Sequence, residues 1–172
     1  MKQDDQIIDI TLTPYVQEHQ HFLSQFFLPD TQTLFSALPE ESLKYCQEDR
    51  DRHPFVIVAG GIPVGFFVLH VGDNISPYTT DKKAILLRGL LIDRRYQGRG
   101  IAKKALQILP QFANRIFPDK ESLILAVDEK NDIAKTLYLK SGYWDTGVQK
   151  EGRSGWMQIM EYRLSGLDTD LE

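Results

Sequence analysis

Hydrophobic and polar positions along this chain follow two rhythms. Runs rich in β-branched and aromatic residues, bounded by turn residues, predict strands at 7–12 (IIDITL), 54–59 (PFVIVA), 64–71 (VGFFVLHV), 84–92 (AILLRGLLI) and 122–127 (SLILAV). A 3.6-residue stripe through Ala105, Leu106, Leu109, Phe112, Ala113 and Ile116 predicts a helix over 102–117 with one buried face, which Pro110 is expected to kink or end early. Asn131 as N-cap and Gly142 as left-handed stop frame another helix over 131–141. Thr13-Pro14 reads as a cap and first turn, and with Val16, Phe22, Leu23, Phe26 and Phe27 it predicts a helix over 14–28. Leu43 and Cys46 among charged neighbours predict a second helix over 40–49. Gly60-Gly61 makes a hairpin turn, and GYWDTGVQ with GWMQIMEYRL, on either side of KEGRS, reads as a closing hairpin.

The order that results, β-α-α-β-β-β-α-β-α-β-β, describes a mixed α/β fold on a single sheet. No internal repeat or linker divides the 172 residues, a length sufficient for one core, so 1–166 is expected to form one domain with a polar tail at 167–172.

Charge narrows the range of partners. With 20 basic and 24 acidic residues the net charge is −4, so no global field draws the chain to nucleic acid or anionic lipid, and any basic site must be local. Cys46 stands alone, which excludes an intrachain disulfide and a cysteine-based zinc site. It reads as a small apolar residue, and a reducing compartment, the cytoplasm, is the expected location. The first residues, MKQDDQIIDI, carry no targeting pattern, and no run approaches a membrane span. His19 and His21 are two apart on an expected helix and point to different sides, so no shared metal is expected. Trp144 and Trp156 fall on the final hairpin and most simply pack there.

The chemistry gathers in IDRRYQGRGIAKKAL, residues 92–106, where a strand turns through Gly98 and Gly100 into a helix with no acidic residue after Asp93. Converging backbone amides and a helix N-terminus make such a corner a phosphate site. It is not a P-loop, because Lys103-Lys104 is followed by Ala105 and not by a hydroxyl. It is a poor dinucleotide fingerprint, because Lys103 stands at the third glycine position and the motif follows the fourth strand. It does satisfy Q/R-x-x-G-x-G/A, through Gln97, Gly100 and Ala102.

That motif, together with LAVDEKNDIAKTLYLKSGY later in the chain, resembles the GNAT family of acetyl-CoA-dependent N-acetyltransferases. Both segments occur in order, and the element order agrees over most of the chain. The resemblance implies a mixed sheet in which the strand before the corner parts from its neighbour. Leu90, Leu91 and Ile92 would then offer main-chain groups to the pantetheine arm of coenzyme A. The amides of Gln97, Gly98, Arg99, Gly100, Ile101, Ala102 and Lys103 would cradle its pyrophosphate. Asn131 would touch the pantetheine arm, although it also reads as a simple helix cap. Tyr138 would be the general acid for the departing thiolate, its alternative being a core aromatic.

The resemblance also implies direct transfer of acetyl to a primary amine in a ternary complex. The acceptor would be a small molecule, with polyamines among the candidates, or a peptide, and the enzyme a monomer or homodimer. Many members carry a glutamate on the strand before the corner, whereas AILLRGLLI offers only Arg88. Asp128, Glu129, His70, Asp73 and a chain of waters remain as proton acceptors. The missing glutamate keeps open a second reading, a non-catalytic acyl-CoA-binding regulatory module. An acidic helix with Glu40, Glu41, Glu48 and Asp49 would suit a cationic amine, or would simply be a solvated face.

Overall fold

A computed structural model describes residues 8–33 and 36–164. The polar tail expected at 167–172 and Ile7 of the first expected strand lie outside the described residues. Among the described residues seven strands form one sheet in the order β1-β2-β3-β4-β5-β7-β6. They are β1 (Ile10–Pro14), β2 (Arg52–Ala59), β3 (Ile62–His70), β4 (Ala84–Ile92), β5 (Ser122–Asp128), β6 (Trp144–Gly152) and β7 (Gly155–Arg163). All neighbours pair antiparallel except β4 and β5, which are parallel.

Gly60 and Gly61 have φ of 56° and 81°, the positive pair that a tight hairpin between β2 and β3 needs. The closing hairpin is longer than the sequence suggests: pairing runs out to Gly152 opposite Gly155, so most of KEGRS is strand.

The described residues contain five helices, α1 (Gln20–Leu23), α2 (Asp30–Thr33), α3 (Pro39–Glu48), α4 (Ile101–Ile116) and α5 (Asp132–Lys140). One face of the sheet meets α4, whose Ile101, Ala105, Leu106, Leu109, Phe112 and Ala113 are buried with Phe55, Phe67, Leu69, Ile85, Leu123 and Leu125; Leu137 and Tyr138 of α5 pack against the same cluster. The other face buries Val56, Phe66, Val68 and Leu91 under Leu23, Phe26 and Leu28, with Leu43 and Cys46 of α3 beside them. Pro110 does not end α4. It is buried inside the helix, where the burial of that long apolar stripe outweighs the one lost hydrogen bond.

The helix expected over 14–28 is absent. Pro14 belongs to β1, and the Tyr15 amide donates to the Pro54 carbonyl at 3.0 Å. Donors alternate along an edge strand, so the proline nitrogen lies on the outer side, where no donor is required. A short 3₁₀ turn (Gln17–His19) and the four residues of α1 replace the long helix. Val16, Phe22 and Phe27, which a continuous helical stripe would bury, are exposed.

Candidate functional site

The site begins where β4 and β5 part. Their parallel pairing covers only Ala84–Leu86 against Ser122–Ile124, although β4 runs on to Ile92 and β5 to Asp128. Beyond Leu86 the two strands form the arms of a V. The β3–β4 ladder is irregular at the same place, because Val68 pairs with Arg88 while Phe66 pairs with Leu91. Gly89 and Leu90 thus oppose the single residue Phe67, and Gly89 takes φ 61°, a β-bulge that glycine makes without strain. After the bulge the Asp93 amide donates to the Val64 carbonyl at 2.9 Å. By the alternation of an antiparallel ladder, Leu91 is also turned to β3, and the backbone groups of Leu90 and Ile92 point into the V. The Ile92 carbonyl is taken there by Gln97 Nε2 at 2.8 Å.

From the tip of β4 a 3₁₀ turn (Arg94–Tyr96) leads to the glycine corner. Asp93, fully buried, holds this turn: its carboxylate accepts from Arg95 at 2.8 and 2.6 Å and from the Phe27 amide at 3.5 Å. Gly98 and Gly100 have φ of 77° and 75°, and open space lies where a Cβ would stand on either. Gly100 is the N-cap of α4, whose first turn has no acidic side chain, so its free amides and the positive end of the helix dipole face a hollow of about 180 Å³. Ile92, Gln97, Ile101, Ala102 and Lys103 line it, with Leu137 of α5 opposite. Arg99 lies over the Tyr96 ring at 5.5 Å, and Lys104 reaches away to the Ile8 carbonyl at 3.5 Å, so the corner's character is set by backbone more than by side-chain charge.

Asn131 caps α5, its Oδ1 accepting from the Ala134 amide at 3.3 Å. Gly142, at φ 95°, stops the helix as expected. Tyr138 is half-buried, its ring edge-on to Tyr143 with centroids 5.6 Å apart, and its hydroxyl has no protein partner among the described residues. Burial pushes its pKa up to about 12, so the phenol keeps its proton throughout the neutral range.

The opposite side of the V carries a network that sequence reasoning missed. Arg88 sits on β4 just before the bulge, and its Nε donates to His70 Nδ1 at 3.0 Å. That bond fixes the His70 proton on Nε2, which donates to Asp49 Oδ2 at 2.9 Å. Burial, reinforced by the Arg88 charge, holds the His70 pKa below its ordinary value, so the imidazole is neutral. Burial opposes the Asp49 charge, but hydrogen bonds from Asn74, the Asp51 amide and His70 outweigh it and hold the carboxyl below the usual range. Both ring nitrogens of His70 are therefore engaged, and it is a strut for Arg88, not a base. Asp73 is exposed in a 3₁₀ turn after β3.

Asp128 is placed differently. Leu123, Leu125 and Val127 of β5 face α4, so the alternate residues Ile124, Ala126 and Asp128 face the Arg88 side. Asp128 is largely buried at the open end of β5, and its Oδ1 accepts the Lys130 amide at 2.9 Å. The hairpin of β6 and β7 reaches over this side: Lys150 Nζ lies 5.0 Å from the Tyr78 ring centroid, and Arg153 bonds Glu41 of α3 at 3.4 Å.

Other features lie elsewhere. A hollow of about 610 Å³ between α3 and the β1–β2 edge is lined by Tyr15, Gln20, Lys44, Cys46 and Arg52, none from β4, β5 or the corner. Cys46 is half-buried, and burial raises its thiol pKa, which is unfavourable for a nucleophile. Among the described residues no three His, Cys, Asp or Glu are grouped to hold a metal ion, and no helix is long and apolar enough to cross a membrane.

A parting parallel pair, a β4 bulge and a glycine corner opening a helix define an acyltransferase architecture. Residues 17–143 match the acetyltransferase (GNAT) family model, and the chain belongs to that family. YbbJ, an uncharacterized N-acetyltransferase of Bacillus subtilis (strain 168), is 38% identical over 157 residues, covering 91% of this chain and 98% of that protein. The spermine/spermidine N(1)-acetyltransferase of the same organism is 33% identical over 113 residues, covering 62% and 72%. The solved structure of AAC(6')-Ib with ribostamycin and coenzyme A shares the fold, with a TM-score of 0.74 at 17% identity over 95% of this chain and 99% of that one. The protein is a GNAT-type N-acetyltransferase, a transferase, and the regulatory-module reading gives way.

Proposed function

We propose that this enzyme transfers acetyl from acetyl-CoA to a primary amine by direct attack, with both substrates bound at the V. The observation that carries the reading is the open β4–β5 junction, which ends at a helix N-terminus with room where two glycine side chains would be. The residues fit the cofactor. Leu90 and Ile92 present backbone groups to the pantetheine arm, while Gly98, Arg99, Gly100, Ile101, Ala102 and Lys103 present amides to the pyrophosphate. Leu91, expected from the sequence to share this role, does not: its backbone is turned to β3 and its side chain is buried with Leu23, Phe26 and Leu28. Gln97 braces the Ile92 carbonyl, and Asn131, with Oδ1 spent on its helix, has Nδ2 left to donate.

Acetyl-CoA supplies an activated acyl carbon whose C–S bond breaks as the C–N bond to the amine forms. Asp128, on the acceptor side, takes the proton that the nitrogen sheds. Tyr138, on the α5 side, gives its proton to the departing sulfur, and solvent resets both groups. The acceptor approaches from the Arg88 face because α4 and α5 cover the other.

Acetyl-CoA or CoA at a hundredfold excess over its dissociation constant raises stability by about 2.7 kcal/mol, a shift a thermal melt resolves. NAD and ATP give none; an equal shift from ATP overturns the assignment of the corner. Release of free thiol from acetyl-CoA, dependent on added amine, tests turnover.

A second expectation concerns Gly100. Gly100→Val puts a β-branched side chain into the space meant for phosphate and costs roughly 1–2 kcal/mol in backbone strain at φ 75°. Calorimetry finds CoA affinity reduced far more by this change than by Arg99→Ala, whose guanidinium is exposed. The melting point of the free variant separates strain from lost binding. The reverse order of affinities would assign the binding to side-chain charge.

A further inference from the structure

We infer that the acceptor amine carries an anionic group, carboxylate or phosphate, which Arg88 and Lys150 receive. The inference rests on the function proposed above and names its substrate class.

Arg88 occupies β4 at the crotch of the V, on the side away from α4, and is half-buried. Its Nε is committed to His70 Nδ1 at 3.0 Å and its Nη1 to the Tyr78 hydroxyl at 3.4 Å, while the guanidinium lies 4.8 Å from the Tyr78 ring centroid. Nη2 has no partner among the described residues. Among the described residues no carboxylate forms an ion pair with this cation, and Asp49 is linked to it through the neutral ring of His70. The Lys150 ammonium approaches the same Tyr78 ring at 5.0 Å and likewise forms no ion pair among the described residues.

Lys150 pairs with Met157, which pairs with Asp128, so Lys150 and Asp128 project from one face of the sheet. Two cations thus converge on one aromatic ring, neither with an ion pair among the described residues, in a chain whose net charge is −4. A half-buried cation with no anion is unfavourable unless a ligand supplies the charge, and an oriented guanidinium edge suits an anion's oxygens. A polyamine would bring further positive charge to this point. The Asp49–His70 strut holds the guanidinium in one orientation, the preorganisation that makes such recognition specific.

Acceptor pairs that differ only in the anion test the idea: free amino acids and dipeptides against their C-terminal amides, phosphoethanolamine against ethanolamine, and spermidine as the polycation. Thiol release from acetyl-CoA gives kcat/KM for each. The expected result is a preference of about 10- to 100-fold for the anionic member of at least one pair. Which pair shows it identifies carboxylate or phosphate. Arg88→Met abolishes that preference mainly through KM. Lys150→Met, made at a site away from the His70 network, reduces it, so a folding defect in the first variant leaves the idea testable.

Spermidine as the best acceptor, or amides and ethanolamine equal to their anionic partners, overturns the inference while leaving the acetyltransferase reading intact. An unchanged preference in both variants that melt normally overturns it too. Failure of every amine, with no thermal shift from CoA, would count against the underlying function instead.

Discussion

Tyr138→Phe lowers kcat by roughly 10²-fold, the smaller end of the 10²–10⁴ range for losing a general acid, because a thiolate is already a fair leaving group. The phenol suits this role, since burial among Tyr143 and the apolar residues of the α4 face holds its pKa at about 12. Proton supply from this group therefore persists as pH rises through 10 and fails only as pH approaches 12. An alkaline fall in rate at lower pH belongs to another group. Phenylalanine preserves the ring and its edge-on contact with Tyr143, so the melting point and CoA affinity stay near those of the parent. Tyr138→Ala adds a loss of stability by leaving a space where the ring stood. Steady-state kinetics at saturating acetyl-CoA decide the matter. A Phe variant with unaltered kcat, under conditions where chemistry limits turnover, removes Tyr138 as the acid.

Asp128→Asn has an effect of similar or greater size, a fall in kcat of about 10²–10⁴-fold, because a carboxamide cannot take the proton from the attacking nitrogen. The substitution is mild structurally. An amide oxygen still accepts from the Lys130 backbone, so the turn after β5 is kept. CoA affinity is unchanged, since the corner belongs to the other arm of the V. The remaining rate climbs with pH until the free amine predominates, as expected when the base is lost but the nucleophile is intact. A variant with the parental kcat assigns proton removal to water.

The strands and the long helix are legible in the sequence because their burial is one-sided or complete, and both leave a period behind. The apolar run at 84–92 matches β4 to the residue, and the α4 stripe is strong enough that Pro110 does not break it. Thr13-Pro14 misleads because proline suits an edge strand's outer side as well as a helix's first turn, and the aromatic residues after it are partly exposed. Half of the candidate site is equally readable. A glycine corner is local, and its positive φ values follow from which residues tolerate them.

The acceptor side is not local. Asp49, His70 and Arg88 lie on three separate elements, and only the pairing of β3 with β4 and the loop after α3 bring them into one line. In the sequence Arg88 registers only as a glutamate that is missing. Its environment turns that absence into a positive feature, a cation with its own support.

The bulge at Gly89 and Leu90 also bears on how such an enzyme changes over time. It divides β4 into two stretches joined by a single glycine, and on the function proposed above one stretch would face the acceptor and the other the acyl donor. A substitution at Arg88 would then alter what is acetylated without shifting Leu90 or Ile92. Substrate range can therefore drift while the donor machinery stays fixed. A deletion of Gly89 would instead act on both stretches: the ladder would become regular, with Leu91 and Ile92 still opposite Phe66 and Gly65, and the bend between the two stretches would be lost.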